Sequence, residues 1–150
     1  MSAQYTSKHG MVLKTQSELY MGFVDLRAFK NMLPADKQAS VEATYDTLSA
    51  VVQGFRIGVK VTAREPFHLI AIEDDGAPFH FRVEFHFDAD IAPVRTDFHI
   101  EVDADLNMMM KMMLGSKIQQ AIDQIVDGLV AASEGRMPEG FDPSTFSGKF

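Results

Sequence analysis

The stretch that decides the fold is Phe79-His-Phe-Arg-Val-Glu-Phe-His-Phe87, followed after a turn by Thr96-Asp-Phe-His-Ile-Glu-Val-Asp-Ala104. In the first, every odd position is apolar and every even one polar. In the second, Phe98, Ile100, Val102 and Ala104 alternate with Asp97, His99, Glu101 and Asp103. Side chains of a strand alternate between faces, so this is an antiparallel hairpin, strands Phe79–Asp88 and Arg95–Leu106, with one buried and one wet face. Opposite charges across strands contribute about 0.2–1 kcal/mol each and like charges cost. The register that pairs them sets Asp88 against Arg95, His86 against Asp97, Glu84 against His99, Arg82 against Glu101 and His80 against Asp103. A charge ladder of this kind reads His80, His86 and His99 as solvated partners of carboxylates; metal ligands need convergence, and no metal or cofactor is expected.

Upstream, Asp74-Asp-Gly-Ala-Pro78 is a turn, preceded by Phe67–Glu73 and by Ile57, Val59, Val61 and Ala63 alternating with polar residues up to Glu65-Pro66. Val41, Ala43 and Tyr45, then Leu48, Ala50 and Val52, form two more strands around Asp46-Thr47, and Met11–Lys14 is a first strand. Thr15-Gln-Ser-Glu18 has the form of a capping box, and Leu19, Tyr20, Phe23 and Leu26 predict a helix over about residues 17–29. Pro34-Ala-Asp-Lys37 suits the start of a second short helix. Downstream, Ser116-Lys-Ile-Gln119 has the same capping form, and Leu114, Ile118, Ala121, Ile122, Ile125, Leu129 and Ala132 form one stripe of a long amphipathic helix that must cover a sheet. Gly115 suggests a break ahead of it. The result is an α+β chain of about seven antiparallel strands, two short helices and one long C-terminal helix.

Composition sets outer limits. The chain has 150 residues, 46% apolar and 23% charged, enough for one domain with a real core. Without cysteine there is no disulfide framework, thiolate metal site or cysteine nucleophile. A net charge of −7 argues against nucleic-acid binding. No apolar run reaches the length of a membrane span and no secretory h-region is visible, so the expected location is the cytoplasm. Residues 1–10 read as a flexible N-terminus, 11–133 as the domain and 134–150, with Phe141, Phe146 and Phe150, as a flexible tail.

The order of elements resembles the START-like (SRPBCC) superfamily, whose helix-grip fold wraps a curved antiparallel sheet around the last helix. Ser17–Phe29 followed by Asn31-Met-Leu-Pro34 looks like its first helix and the lead into its second. Gly54–Pro66 looks like the strand and bend before its central hairpin. Leu106-Asn-Met-Met-Met-Lys-Met-Met113, running into Ile118–Val130, is similar to the Asn-Met-Met junction of an uncharacterised bacterial branch. The resemblance covers about residues 10–132 and implies a cavity between sheet and long helix for an apolar or amphipathic small molecule. Members include lipid-transfer proteins, hormone binders and polyketide aromatase/cyclases; nothing here matches the iron-ligand pattern of the ring-hydroxylating oxygenases.

Ligand pockets are mostly apolar with a few placed polar groups. The residues expected to line one are Tyr20, Phe23, Tyr45, Val59, His68, Phe81, Phe85, Phe98, Ile100, Met109, Met110 and Met113. Five of the ten methionines lie in Met108–Met113; their soft, adaptable side chains suit variable apolar shapes. His68 shares a strand phase with Ile70 and Ile72, and Tyr45 falls on the apolar phase of its strand; these are the candidates for a cyclase-like acid–base reading. No catalytic motif appears, so none is assigned a catalytic role. Non-enzymatic binding of a lipid-like or polycyclic molecule is the preferred reading. A cyclase-like enzyme and a closed-core interaction domain stay open, as does a homodimer through Gly22 or the N-terminal edge strand.

Overall fold

The structure is a computed structural model and describes residues 2–31, 40–52, 55–77, 79–89 and 95–135. The elements in chain order are β1 (Ser2–Thr6), β2 (Gly10–Val12), α1 (Gln16–Phe23), α2 (Arg27–Asn31), β3 (Val41–Ala43), β4 (Thr47–Val52), β5 (Phe55–Glu65), β6 (Leu69–Asp74), β7 (Phe81–Ala89), β8 (Thr96–Asp105) and α3 (Met108–Ser133). The strands form one antiparallel sheet in the order β1-β8-β7-β6-β5-β4-β3, and β2 also pairs with β8. The architecture is α+β: a long C-terminal helix gripped by an antiparallel sheet.

The N-terminal residues are not a loose arm. Ala3 and Tyr5 alternate with Ser2, Gln4 and Thr6 and pair with β8, Ala3 opposite Ala104 and Tyr5 opposite Val102. Ser7 then seals the gap between β1 and β2: its N–H donates to the Ile100 carbonyl and its hydroxyl accepts from the Ile100 N–H, both at 2.8 Å. Helix α3 holds the same segment from above. The Lys8 N–H donates to Asp123 (2.8 Å), the Lys8 ammonium to Asp127 (2.9 Å), and Gln119 to the Thr6 carbonyl (2.9 Å). The expected tail after α3 begins at Glu134 and Gly135; its remainder lies outside the described residues.

The capping box at Thr15 forms as expected. Thr15 Oγ1 accepts the Glu18 N–H and Glu18 Oε1 accepts the Thr15 N–H, each at 3.2 Å. The single helix expected over 17–29 is divided instead. The Asp25 carboxylate takes the Arg27 N–H (2.9 Å) and the Leu26 N–H is diverted to the Tyr45 carbonyl (3.2 Å), which ends α1 and starts α2. The helix expected near Pro34 lies outside the described residues.

The second capping form misled. Helix α3 starts eight residues earlier than Ser116, at Met108, where Asn107 Oδ1 accepts the Met110 N–H (2.8 Å), and it runs unbroken through Gly115. Gly115 is there for close approach: a Cβ on it would sit 3.0 Å from the Tyr5 hydroxyl. Gly10 does the same on β2, where a Cβ would meet Val126 and Val130 at 2.6 Å. Two missing side chains thus let α3 settle on the β1–β2 edge of the sheet.

The central hairpin has both faces as expected but a register shifted by two residues. Phe81 faces Ala104, Phe85 faces Ile100, His86 faces His99 and Phe87 faces Phe98. Glu84 therefore stands opposite Glu101, and Asp88 opposite Asp97. Salt links along and diagonally across the strands relieve these like-charge pairs. Arg82 Nε donates to Glu84 (2.8 Å), and His86 Nε2 lies 3.0 Å from both Glu84 and Glu101. His9, in the connection between β1 and β2, reaches Asp97 at 2.9 Å. A two-residue slip keeps every side chain on its face, so the apolar pattern could not choose between the registers.

Candidate ligand-binding site

The inner face of the sheet, toward the helices, divides into a filled end and an open end. At the filled end, α1 lies over β6 and β7, and α3 over β1, β2 and β8. Phe23 meets the rings of Phe85, Phe87 and Phe98 at 5.3, 5.6 and 5.6 Å between centroids. Tyr20 meets Phe67 and Phe87 edge-on at 5.6 and 6.0 Å. Phe87, Phe98 and Ile100 are completely buried. Of the residues expected to line a pocket, Tyr20, Phe23, Phe85, Phe98 and Ile100 belong to this aromatic core.

The open end is the inner face of β4 and β5 with the adjoining parts of β6 and β7. Pairing of Leu48 with Val59, Val61 with Ile72, and Ile72 with Val83 puts these side chains, with Phe81, on one face. They are half-buried, as are Met110, Leu114 and Ile118 on α3, which belong to the same apolar cluster as Val61, Ile72, Phe81 and Val83. We take this half-buried apolar surface, contributed by sheet and helix, as the candidate trough. At the β3–β5 end, a groove of about 200 Å³ is lined by Ala43, Leu48 and Val59 and by the polar Glu42, Thr44, Thr47, Ser49 and Asp75. Val59, Phe81 and Met110 are the expected residues that lie on the trough.

Leu48, Val61, Ile72, Val83, Leu114 and Ile118 line it too. Strand phase and helix stripe placed all six inward in the sequence; their half-burial separates them from the solid core, and that needs the positions of the helices.

Four expected residues point elsewhere. Tyr45 and His68 are turn residues, not strand residues. Thr44 N–H to Thr47 carbonyl (2.8 Å) closes a turn that carries Tyr45 outward, its ring under the Arg64 guanidinium at 4.3 Å. The His68 N–H donates to the Glu65 carbonyl (2.9 Å), closing a turn in which Pro66 is followed by Phe67 at φ 67°, so β6 begins only at Leu69 and His68 is exposed. Met109 and Met113 are 70% and 63% exposed. With α3 starting at Met108, a 3.6-residue period puts Met110, Leu114 and Ile118 on the inner stripe and Met109, Met112 and Met113 on the outer one.

Ionisable groups at the margins are committed to structure. Asp74, at the end of β6, accepts the Phe81 N–H (2.9 Å) and pairs with His80 (2.9 Å). The Phe81 hydrogen bond first, then the His80 contact, hold its carboxyl below the ordinary value against the effect of burial. Arg64 ties the α1–α2 connection to the β3–β4 turn, donating to the carbonyls of Val24 (2.9 Å) and Tyr45 (3.0 Å) and to Asp46 (2.6 Å). The side chains named for the trough are apolar.

No protein-family model and no curated protein sequence matches this chain. Solved structures do. A Thermobifida fusca protein solved by NMR superposes with a TM-score of 0.66 at 10% identity, covering 88% of this chain and 93% of that one. Norcoclaurine synthase from Thalictrum, a point mutant in complex with a transition-state analogue, gives 0.59 at 10% identity over 90% and 96% of the two chains. A START superfamily protein from Mycobacterium smegmatis gives 0.55 at 13% identity over 85% and 98%. The chain has the START-like helix-grip fold. At these identities the likeness is one of fold, and function rests on the side chains above. Among the described residues, no helix is long and apolar enough to cross a membrane.

Proposed function

We propose that the trough binds a hydrophobic or amphipathic small molecule, lipid-like or polycyclic, without chemical change. The observation that carries this reading is the set of half-buried apolar side chains in one cluster: Val61, Ile72, Phe81 and Val83 on the sheet, Met110, Leu114 and Ile118 on α3. Apolar surface left half in water at the centre of a fold gains about 25 cal/mol for each Å² that a ligand covers. The groove at the β3–β5 end is below the roughly 300 Å³ at which pockets for drug-sized ligands begin. An elongated molecule lying along the trough fits this shape better than a compact one seated in the groove. A START superfamily protein and a synthase holding a transition-state analogue among the structural neighbours are consistent with a ligand in this place.

The test is native mass spectrometry of the protein purified from cells, followed by denaturing extraction, on the wild type, Val83→Trp and Val51→Trp. Val83 lines the trough, whereas Val51 is exposed on the opposite phase of β4. A bound apolar mass present in wild type and Val51→Trp but lost in Val83→Trp supports the reading. An apo mass, with no thermal shift across fatty acids, sterols and aromatic polyketides, rejects it. One neighbour, Aha1 from Colwellia psychrerythraea, is described as a dimer; we extend the proposal to a homodimer of this chain, tested by light scattering after size exclusion.

A further inference from the structure

The outer face of β7–β8 carries a cluster that the trough does not use. His86 and His99 face each other across the strands with rings stacked, 4.5 Å between centroids and 8° between planes. His9 stacks on His99 at 4.3 Å and 20°. Both cross-strand imidazoles aim Nε2 at one atom: Glu101 Oε2 lies 3.0 Å from His86 Nε2 and 2.9 Å from His99 Nε2. His99 is 9% exposed, and its Nδ1 is buried with no hydrogen-bond partner. Asp88 Oδ2 stands 3.6 Å from that Nδ1, too far for a hydrogen bond.

A neutral imidazole has one N–H and one bare lone pair. On His99, whichever nitrogen holds the proton, the other turns its lone pair toward a carboxylate, Glu101 on one side or Asp88 on the other. A second proton or a metal cation on Nε2 removes the conflict, and the convergence of His86 and Glu101 on the same place favours the metal. Nδ1 then keeps the proton and directs it at Asp88, the carboxylate–histidine–metal order that fixes ring orientation and strengthens the ligand.

We propose that His86 Nε2, His99 Nε2 and the Glu101 carboxylate form a site for one divalent transition cation of the zinc class. Their donor atoms all lie within 4.8 Å of one another; ligand distances of about 2.0–2.2 Å from one ion require the two imidazoles to rotate out of their parallel stack so that both Nε2 lone pairs converge. Two imidazoles and one carboxylate favour zinc, nickel or copper over calcium or magnesium, which take oxygen ligands. Three protein ligands leave a coordination position open. A groove of about 170 Å³ lined in part by Arg82, Glu84, Glu101 and Asp103 adjoins the cluster through Glu101. The Glu84 carboxylate, 3.0 Å from His86 Nε2, adds negative charge at the rim.

The experiment is calorimetric titration of untagged, chelator-stripped protein with Zn²⁺ at pH 7.5, repeated on His86→Gln, Glu101→Gln, Asp88→Asn and His80→Gln. The expected result is one equivalent bound by wild type and His80→Gln, since His80 sits with Asp74 away from the cluster. Affinity should fall at least about 10-fold in His86→Gln and Glu101→Gln. In Asp88→Asn, whose side chain stands 3.6 Å from His99 Nδ1, affinity should fall less than in the two ligand variants. Imidazole proton NMR guards against folding artefacts: Zn²⁺ should move the His86 and His99 signals of the wild type and leave His80 and His68 in place. Equal losses in His80→Gln and His86→Gln, no stoichiometric binding, or shifts at His80 in place of His86 and His99 would overturn the proposal.

Discussion

The two faces of the β7–β8 hairpin are built from alternate residues of the same strands, yet they obey different rules. On the inner face, Phe85, Phe87, Phe98 and Ile100 are buried, the three rings against Phe23 of α1, and need only be apolar and fit. On the outer face, what His86, His99, Glu84 and Glu101 do depends on which residue stands opposite which. Sliding one strand by two residues leaves the inner face apolar and changes every partnership on the outer one. A core therefore tolerates ambiguity that a polar cluster does not, and the polar face carries the information about register.

The largest effects belong to the filled inner face. Phe98→Ala removes a fully buried ring that contacts Phe23, Phe85 and Phe87. We expect a loss of about 3–5 kcal/mol in urea-unfolding free energy. Phe81→Ala, at the half-buried end of the same strand, should cost clearly less and instead weaken ligand retention. Equal stability losses at the two positions would erase the distinction between core and trough. A smaller loss, about 1–3 kcal/mol, is expected for Gly10→Ala, because its Cβ would press on Val126 and Val130 and force α3 away from β2.

What the sequence makes legible follows from the same contrast. The inner phase of every long strand, the α1 capping box and the inner stripe of α3 can be read from periodicity, because each is set by one residue and its distance along the chain. Tyr45 and His68 defeat that reading. Each sits one or two positions outside its strand, where turn hydrogen bonds rather than alternation aim the side chain. The N-terminal strand was within reach, since Ala3 and Tyr5 alternate with Ser2, Gln4 and Thr6, but five residues of moderate hydropathy do not announce a strand without β8 beside them. The convergence of His86, His99 and Glu101 depends wholly on register, and so does the orphaned Nδ1 of His99. No spacing within one strand encodes either.

Asp74 tests the border between the faces by pH. Its carboxyl is lowered in the folded protein, chiefly by the Phe81 N–H. A lowered folded value means that its contribution is complete above the unfolded value of about 3.9 and is lost as pH falls below it through the folded one. Asp74→Ala should destabilise the protein by about 1–3 kcal/mol at pH 7. The gap between variant and wild type should narrow as pH is lowered toward 3, and a gap that stays constant over that range would assign the loss to packing at the β6–β7 turn instead.

The smallest effect discriminates most sharply between the registers. In the structure His86 stands over Glu101, at 3.0 Å, and Asp97 is held by His9. In the register that pairs opposite charges directly, His86 would face Asp97. A double-mutant cycle on His86→Ala and Glu101→Ala, in metal-free protein, should show a coupling of about 0.3–1 kcal/mol, the range for partly exposed pairs. The cycle on His86→Ala and Asp97→Ala should show almost none, while His9→Ala with Asp97→Ala should restore it. Salt should reduce the first coupling because Glu101 is partly exposed to screening ions. Finding the coupling with Asp97 and not with Glu101 would return the hairpin to the alternative register, separate the two imidazoles, and dissolve the cation site while leaving the aromatic core as it is.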